Sequence, residues 1–371
     1  MSDQGRASSG REGPQRERGV TRAGPARTGL SEERARPRVL VARLDSDGDV
    51  LLAGPAVRAV AAAAEVALLA GPRGRQAAGL LPGVASTVVW RAPWIDPSPD
   101  PVDPSDVDGL VAAVRSLAVD AAVLLTSFHQ SALPLALLLR LAGVPRITAV
   151  SEDYPGSLLD VRHRIDDDLP EAERGLSTAA AAGFALPAAD DGRLRVLPTP
   201  DVSALVGPGP YVVLHPGASV PARAWSPQRC AEAVAALVAS GRRVVVTGGP
   251  AEVELTAAVA AAGGLDLGGR TSLAELSGVL AGAAAVVVGN TGPAHLAAAV
   301  GTPVVSLFAP VVPAARWAPY GVPSVLLGDQ DAPCRLTRAT VCPVPGHPCL
   351  DGVTGTDVVV AVEKLVSACG S

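Results

Sequence analysis

With 371 residues, 48% of them hydrophobic and 18% charged, the chain is long enough for about two domains at roughly 150 residues each, and apolar enough to bury a core in both. Its formal charge is −5 and aromatics make up only 3%; an acidic, aromatic-poor chain lacks the basic stripe and stacking platform of a nucleic-acid binder. Apolar runs such as Gly278 to Gly289 fall short of the ~18–20 residues that span a bilayer, and residues 1–36 hold no apolar signal segment. A cytoplasmic protein without a transmembrane segment is the expectation, with peripheral contact at the inner membrane face left open.

Residues 1–36 carry eight arginines against five acids and no apolar periodicity, so they read as a disordered tail. From Arg38 the pattern changes to short β-branched runs alternating with Ala/Leu-rich helical stretches. Strands are predicted at Arg38–Leu44, Glu65–Leu69, Ser86–Trp90, Ala121–Thr126 and Arg146–Val150, with helices over 50–64, near 106–118 and near 131–142. Continuous apolar strands separated by helices mean parallel strands covered on both faces. Residues 198–210 are Pro/Gly-rich and read as a linker.

The pattern then restarts, with strands at Tyr211–Leu214, Arg243–Thr247, Ala284–Val288, Val304–Phe308 and Val325–Leu327 and five further helices, the last near 355–368. This gives an α/β chain of two Rossmann-like domains, 37–197 and 211–352, facing across a cleft. Residues 353–371 form a C-terminal helix free to return to the first domain. Ligands in such sheets sit beyond the carboxyl ends of the strands, so the loops there should carry the chemistry.

Four such loops stand out. Leu44-Asp45-Ser46-Asp47-Gly48-Asp49-Val50 follows the first strand, lacks the G-x-G-x-x-G dinucleotide spacing, and places three carboxylates at a helix start. Capping accounts for one of them, and a general base at the cleft mouth for another. His215-Pro216-Gly217-Ala218-Ser219, followed by Arg223, offers a hydroxyl and a guanidinium to phosphate oxygens. Gly248-Gly249-Pro250-Ala251-Glu252 ends in a carboxylate suited either to a ribose diol or to the helix dipole. Most telling is Gly289-Asn290-Thr291-Gly292-Pro293-Ala294-His295, where a buried strand turns into a helix whose free N–H groups describe a diphosphate site.

Taken in order, these loops resemble glycosyltransferase family 9, the heptosyltransferase-like enzymes of GT-B architecture. Ser306-Leu307-Phe308-Ala309-Pro310, Arg316-Trp317-Ala318-Pro319-Tyr320-Gly321 and Cys342-Pro343 … His347-Pro348-Cys349-Leu350 extend the resemblance over roughly 38–368. It implies an inverting, metal-independent transfer from an ADP-heptose-like nucleotide-diphosphate sugar on the second domain to a glycan or glycolipid acceptor on the first, as in lipopolysaccharide core synthesis. Asp49 matches the catalytic base. Arg223, Glu252, Asn290, Thr291, Gly292, Pro293, Ala294 and His295 match the donor site, which Ser219 joins through its own hydroxyl. Asn290 stands where the family usually has Asp, and Arg223 where it has Lys. His129 and Arg162 are candidates for the acceptor. The alternatives are a nucleotide-sugar epimerase on the same scaffold and a non-catalytic nucleotide-sugar-binding protein.

No metal and no cofactor is expected. Asp45-Ser46-Asp47 matches the Asp-x-Asp clamp of other sugar transferases only over three residues. Cys334, Cys342, His347 and Cys349 lack the C-x-x-C spacing of a zinc site. Five cysteines without a secretion signal read as reduced thiols.

Overall fold

A computed structural model describes residues 36–165 and 168–369. The segment read as a disordered tail lies outside them, Arg36 excepted. Strands β1 (Arg38–Arg43), β2 (Glu65–Ala70), β3 (Val84–Val89), β4 (Ala121–Leu124), β5 (Ile147–Val150) and β6 (Val161–His163) form one parallel sheet, ordered β3-β2-β1-β4-β5-β6. Strands β7 (Val212–His215), β8 (Val244–Val246), β9 (Leu265–Asp266), β10 (Ala285–Gly289), β11 (Val304–Leu307) and β12 (Ser324–Leu327) form a second, ordered β12-β11-β10-β7-β8-β9. Counted within its own half, each sheet runs 3-2-1-4-5-6, the doubly wound order. The order reverses between β1 and β4 in the first sheet and between β7 and β10 in the second.

The apolar runs become strands because both faces are covered: Val39–Ala42 and Ala285–Val288 are essentially unexposed. The helix expected over 50–64 begins earlier, at Asp47, and is interrupted at Ala53, giving Asp47–Leu52 and Gly54–Ala61. Pro55, which has no N–H to donate back into the preceding turn, opens the second piece. A helix at Glu171–Ala181, which no sequence pattern predicts, packs on Gly54–Ala61.

One apolar cluster runs through both halves, joining Val57 and Leu68 to Val213, Val286 and Leu296. Its seam is the contact of the Asp47–Leu52 helix with the Gly292–Ala299 helix. The approach is close: a Cβ on Gly48 would lie 3.0 Å from His295 Cδ2 and 3.1 Å from Gly292 Cα. Residues 198–210 are docked rather than free, since Val202 and Val206 belong to this cluster and Ser203–Val206 is helical.

The C-terminal helix, Gly355–Cys369, does not return to the first half. It packs on the Pro227–Ala239 helix and the second sheet, burying Val358, Ala361, Val362 and Leu365. None of the described helices is long and apolar enough to cross a membrane.

The first half is also clamped by charge. Arg58 donates through Nε and Nη2 to Asp190 at 2.7 and 2.9 Å, a bidentate pair that fixes the Gly54–Ala61 helix to the chain's return. Those hydrogen bonds hold the Asp190 carboxyl down at about 2. A depressed carboxylate contributes stability above its unfolded value, lost as pH falls through the folded one. Asp190→Asn should therefore cost about 2 kcal/mol at neutral pH, with the gap closing between roughly pH 4 and 2. Urea unfolding of both proteins at pH 7 and pH 3 checks this; a gap of the same size at both values would refute it.

Candidate active site

Both points of strand-order reversal open into the same cavity. From the first half it takes Asp45, Ser46, Gly48 and Asp49 after β1, and Ser127, Phe128, His129 and Gln130 after β4. From the second half it takes Ser219 and Arg223 after β7, and Asn290, Thr291, Gly292 and His295 after β10. Among the predicted site residues, Asp49, His129, Ser219, Arg223, Asn290, Thr291, Gly292 and His295 thus line one space. Glu252, Pro293, Ala294 and Arg162 are not among its lining residues.

The three carboxylates of the opening loop have three different jobs. Asp47 Oδ1 accepts the Ala77 N–H at 2.9 Å and braces the next turn. Asp45, nearly buried, accepts from Gln130 Nε2 and faces Arg43 Nε at 3.0 Å. Asp49 is the more exposed of the two that line the cavity, its side chain 21% accessible against 11% for Asp45. Its Oδ2 accepts from the Ser46 hydroxyl at 2.8 Å and the Ser46 N–H at 3.4 Å, one side of a capping box. So Asp49 caps the helix and also faces the cleft.

Arg43, the last residue of β1, is the hub of this arrangement, and no motif in the sequence marks it. Its side chain is 5% exposed. Nη2 donates to Asp49 Oδ1 at 2.9 Å and to Ser127 Oγ at 2.8 Å, and Nη1 lies 3.5 Å from Glu171 Oε2. Glu171 continues the network to Arg174, whose Nε is 3.2 Å from Oε1. Three carboxylates hold the Arg43 guanidinium charged despite its burial. Burial pushes Asp45 and Glu171 up beyond what Arg43 recovers for them. Asp49 is different: burial would raise it, but Arg43, Ser46 and His295 together bring it below the ordinary carboxylate range. An arginine ending an otherwise apolar strand, at the edge where ligands sit, was the available signal.

Across the cleft, Asn290 is buried and its Nδ2 has no hydrogen-bond partner among the described residues; the same holds for Arg223 Nε and His295 Nδ1. Buried donors left unpaired cost stability, and this grouping within one cavity suits a polar ligand that pairs with them. The imidazoles of His295 and His129 are pushed down to about 4, chiefly by burial, so both are neutral at neutral pH. Pro293 has no N–H, and the Ala294 N–H donates to Thr291 O at 3.1 Å while its methyl sits in the core. The amides left to meet an anion on this turn are therefore those of Thr291 and Gly292.

Glu252 serves a neighbouring loop. Its Oε2 accepts the Gly249 N–H at 2.7 Å, and its carboxylate lies against Gly217, where a Cβ would meet Oε1 at 1.9 Å. Gly217 is glycine because Glu252 occupies its side-chain space. Arg162 donates to the carbonyls of Ser151 and Glu152 and braces that loop. Trp225 is packing: it is buried and its Nε1 donates to Leu350 O at 3.0 Å. The four cysteines with described side chains are free thiols, and no group of three or more His, Cys, Asp or Glu among the described residues is arranged to hold a metal.

A second cavity opens beyond the carboxyl ends of β4 and β5, sharing Ser127 to Gln130 with the first and adding Glu152, Arg174 and Arg316. Phe128 stands between the two. Arg316 and Arg338, both from the second half, lie 4.5 and 5.7 Å from its ring centroid, and the Trp317 ring is 5.6 Å away. These contacts join the halves at the cleft mouth.

Residues 109–346 match the model of glycosyltransferase family 9 (heptosyltransferase), and the chain belongs to that family. Lipopolysaccharide heptosyltransferase 3 of Escherichia coli is 30% identical over 165 residues, 42% of this chain and 47% of that protein. Lipopolysaccharide heptosyltransferase 1 of Pseudomonas aeruginosa is 47% identical over 73 residues, 20% of either chain. The matched segments thus span at most about half the length of these curated relatives. Solved structures agree over nearly the whole fold. A family 9 glycosyl transferase from Veillonella parvula superposes with a TM-score of 0.71 at 17% identity, covering 90% of this chain and 97% of that one. An E. coli heptosyltransferase solved with ADP-2-deoxy-2-fluoro heptose gives 0.67 at 22% identity, covering 88% and 99%. The two Rossmann-like halves are the GT-B architecture.

Proposed function

We propose that the protein is an inverting glycosyltransferase that moves a heptose or related sugar from a nucleotide-diphosphate donor, of the ADP-heptose kind, to a hydroxyl of a glycan or glycolipid. The observation that carries this reading is the convergence of both strand-order reversals on one cavity, a carboxylate on one wall and unpaired donors on the other. Asp49 takes the proton of the acceptor hydroxyl. The oxygen attacks the anomeric carbon on the face opposite the leaving group, the bond from that carbon to the phosphate oxygen breaks, and its electron pair departs on the nucleoside diphosphate. Because Asp49 is a weak base, the proton moves late, when the attacking oxygen has become acidic.

The charge that grows on the diphosphate meets Arg223, the Thr291 and Gly292 amides and the positive end of the Gly292–Ala299 helix. The neutral His295 and the Asn290 amide supply hydrogen bonds without a formal charge. The acceptor enters through the second cavity and passes Phe128 and His129 to reach Asp49. A glycolipid acceptor would bring the protein to the inner membrane face as a peripheral, cytoplasmic enzyme.

The test is calorimetric titration with ADP and with ADP-heptose, followed by transfer to lipopolysaccharide-core acceptors and assignment of the product anomer by NMR. Binding of ADP and an inverted anomer are expected. A retained anomer, or isomerisation of the donor without any acceptor, would refute the reading.

A further inference from the structure

Backbone strain in this chain is gathered in one loop. Four residues other than glycine hold a positive φ among the described residues, and three of them, Leu336 (61°), Arg338 (58°) and His347 (46°), lie in the loop after β12. A left-handed backbone costs energy for any residue with a Cβ, and it persists only where the surroundings impose it. Burial does not account for it, since Leu336 is 51% exposed and Arg338 is exposed too. Backbone hydrogen bonds do. The Leu336 N–H donates to Pro310 O at 2.8 Å and the Arg338 N–H to Val311 O at 2.9 Å, both in the loop after β11. Between them, the Thr337 hydroxyl donates to Cys334 O at 2.7 Å. The same loop grips the Pro221–Arg223 turn: the Ala222 N–H donates to Thr340 O at 2.9 Å, and Ala222 O lies 3.2 Å from His347 Nε2. Arg338 and Arg223 are thus carried on hydrogen-bonded segments, and both line the first cavity.

We propose that Arg338 is a second cation for the donor's diphosphate: with Arg223 it holds the β-phosphate, and the strain of its loop is what aims its guanidinium into the cavity. The inference rests on the reading of this cavity as the donor site. The Arg338 guanidinium lies against the Phe128 ring, 5.7 Å from its centroid, and has no hydrogen-bond or ion-pair partner among the described residues. Arg223 Nε is unpaired as well. Burial pushes Arg223 down, Asp49 holds it up, and Arg338 pushes it down again, so the two cations feel one another. Like charges sharing a cavity repel, and an anion that meets both relieves them. The donor is the anion favoured, because Arg338 belongs to the donor half and its loop is bonded to the Arg223 turn. Within the donor the β-phosphate is favoured, because Arg338 also bears on Phe128 and His129 of the first half, where sugar and acceptor meet. As the bond from the anomeric carbon to that phosphate's oxygen breaks, its electron pair stays on the diphosphate, and two fixed guanidiniums stabilise the added charge.

The experiment titrates the parent chain, Arg338→Asn and Arg338→Lys with ADP and with AMP by calorimetry, and unfolds each in urea. Asn tolerates the left-handed backbone, so the loop keeps its shape without the guanidinium; Lys keeps the charge but loses the planar fork. Arg338→Asn should bind ADP about tenfold more weakly, the loss of one charge-assisted hydrogen bond, and AMP within about twofold of the parent. Its urea midpoint should be no lower than the parent's, because the strained position now holds a residue suited to it. Arg338→Lys should lose only about threefold for ADP. Parental ADP affinity in Arg338→Asn would overturn the proposal. So would an equal loss for ADP and AMP, which would make Arg338 a packing residue of its loop. The two readings separate: a parent chain that does not bind ADP overturns the donor site itself, whereas a parent that binds ADP no better than Arg338→Asn does overturns only the role of Arg338.

Discussion

Replacing Asp49 with Asn should leave the fold and donor affinity intact while turnover falls by roughly 10²–10⁴, the usual contribution of a positioned general base. The geometry makes this a clean substitution. The amide oxygen can still accept from Arg43 Nη2 and the amide nitrogen can donate to the Ser46 hydroxyl, so the loop survives with the loss only of the long 3.4 Å bond from the Ser46 N–H. No hydrogen bond to the second half is lost, and only the electrostatic contact of Asp49 with Arg223 and His295 is removed. Asp47→Asn should lose far less, since its carboxylate only braces the Ala77 amide. The measurement is single-turnover transfer at saturating donor and acceptor. Near-full turnover of Asp49→Asn with chemistry rate-limiting would place the base elsewhere.

Arg43→Met should be the most damaging change in the first half. It strands Asp45, Asp49 and Glu171 around an apolar side chain, and breaking a buried ion pair from one side costs about 3–5 kcal/mol. The deficit should depend on pH in a fixed direction. Without Arg43 the three carboxyls have folded pKa values above their unfolded ones. Stability is then fully present below the unfolded values and lost as pH rises through the folded ones. Unfolding in urea at pH 5 and pH 7.5 should show the gap to the parent narrowing at the lower pH. A gap that widens on acidification would mean that the three acids are not held by Arg43.

Much of the architecture was legible because buried parallel strands are spelled as unbroken apolar runs, and Val286 to Val288 can hardly be anything else. The two short edge strands, β6 and β9, were not. Val161–His163 and Leu265–Asp266 are too short and too exposed to leave an apolar signature. The loops after β1, β7 and β10 stood out because packing alone does not call for glycines and carboxylates clustered directly after a strand. Glu252 was ambiguous for a local reason: a carboxylate three residues after a glycine turn serves a ribose or the turn's own amide equally well, and here its Oε2 takes the Gly249 amide. Arg43, Glu171 and Arg174 were missed because a buried ion network is assembled from positions 43 and 171, far apart in the chain. Besides the arginine that ends β1, the Glu171/Arg174 spacing at a helix start was the other available hint.

The repetition of one strand order in both halves has a consequence for how such an enzyme can change. On the proposed reading, most of the groups that meet the leaving nucleotide follow β7 and β10, and most of those that present the acceptor follow β1, β4 and β5. The two selectivities would then be largely separate traits, free to drift or be exchanged by substitution in one half alone. The exception is the glycine seam, where a methyl group on Gly48 would press on His295 and Gly292 at 3.0 and 3.1 Å. A change there alters the distance between the two substrates, and with it both traits at once.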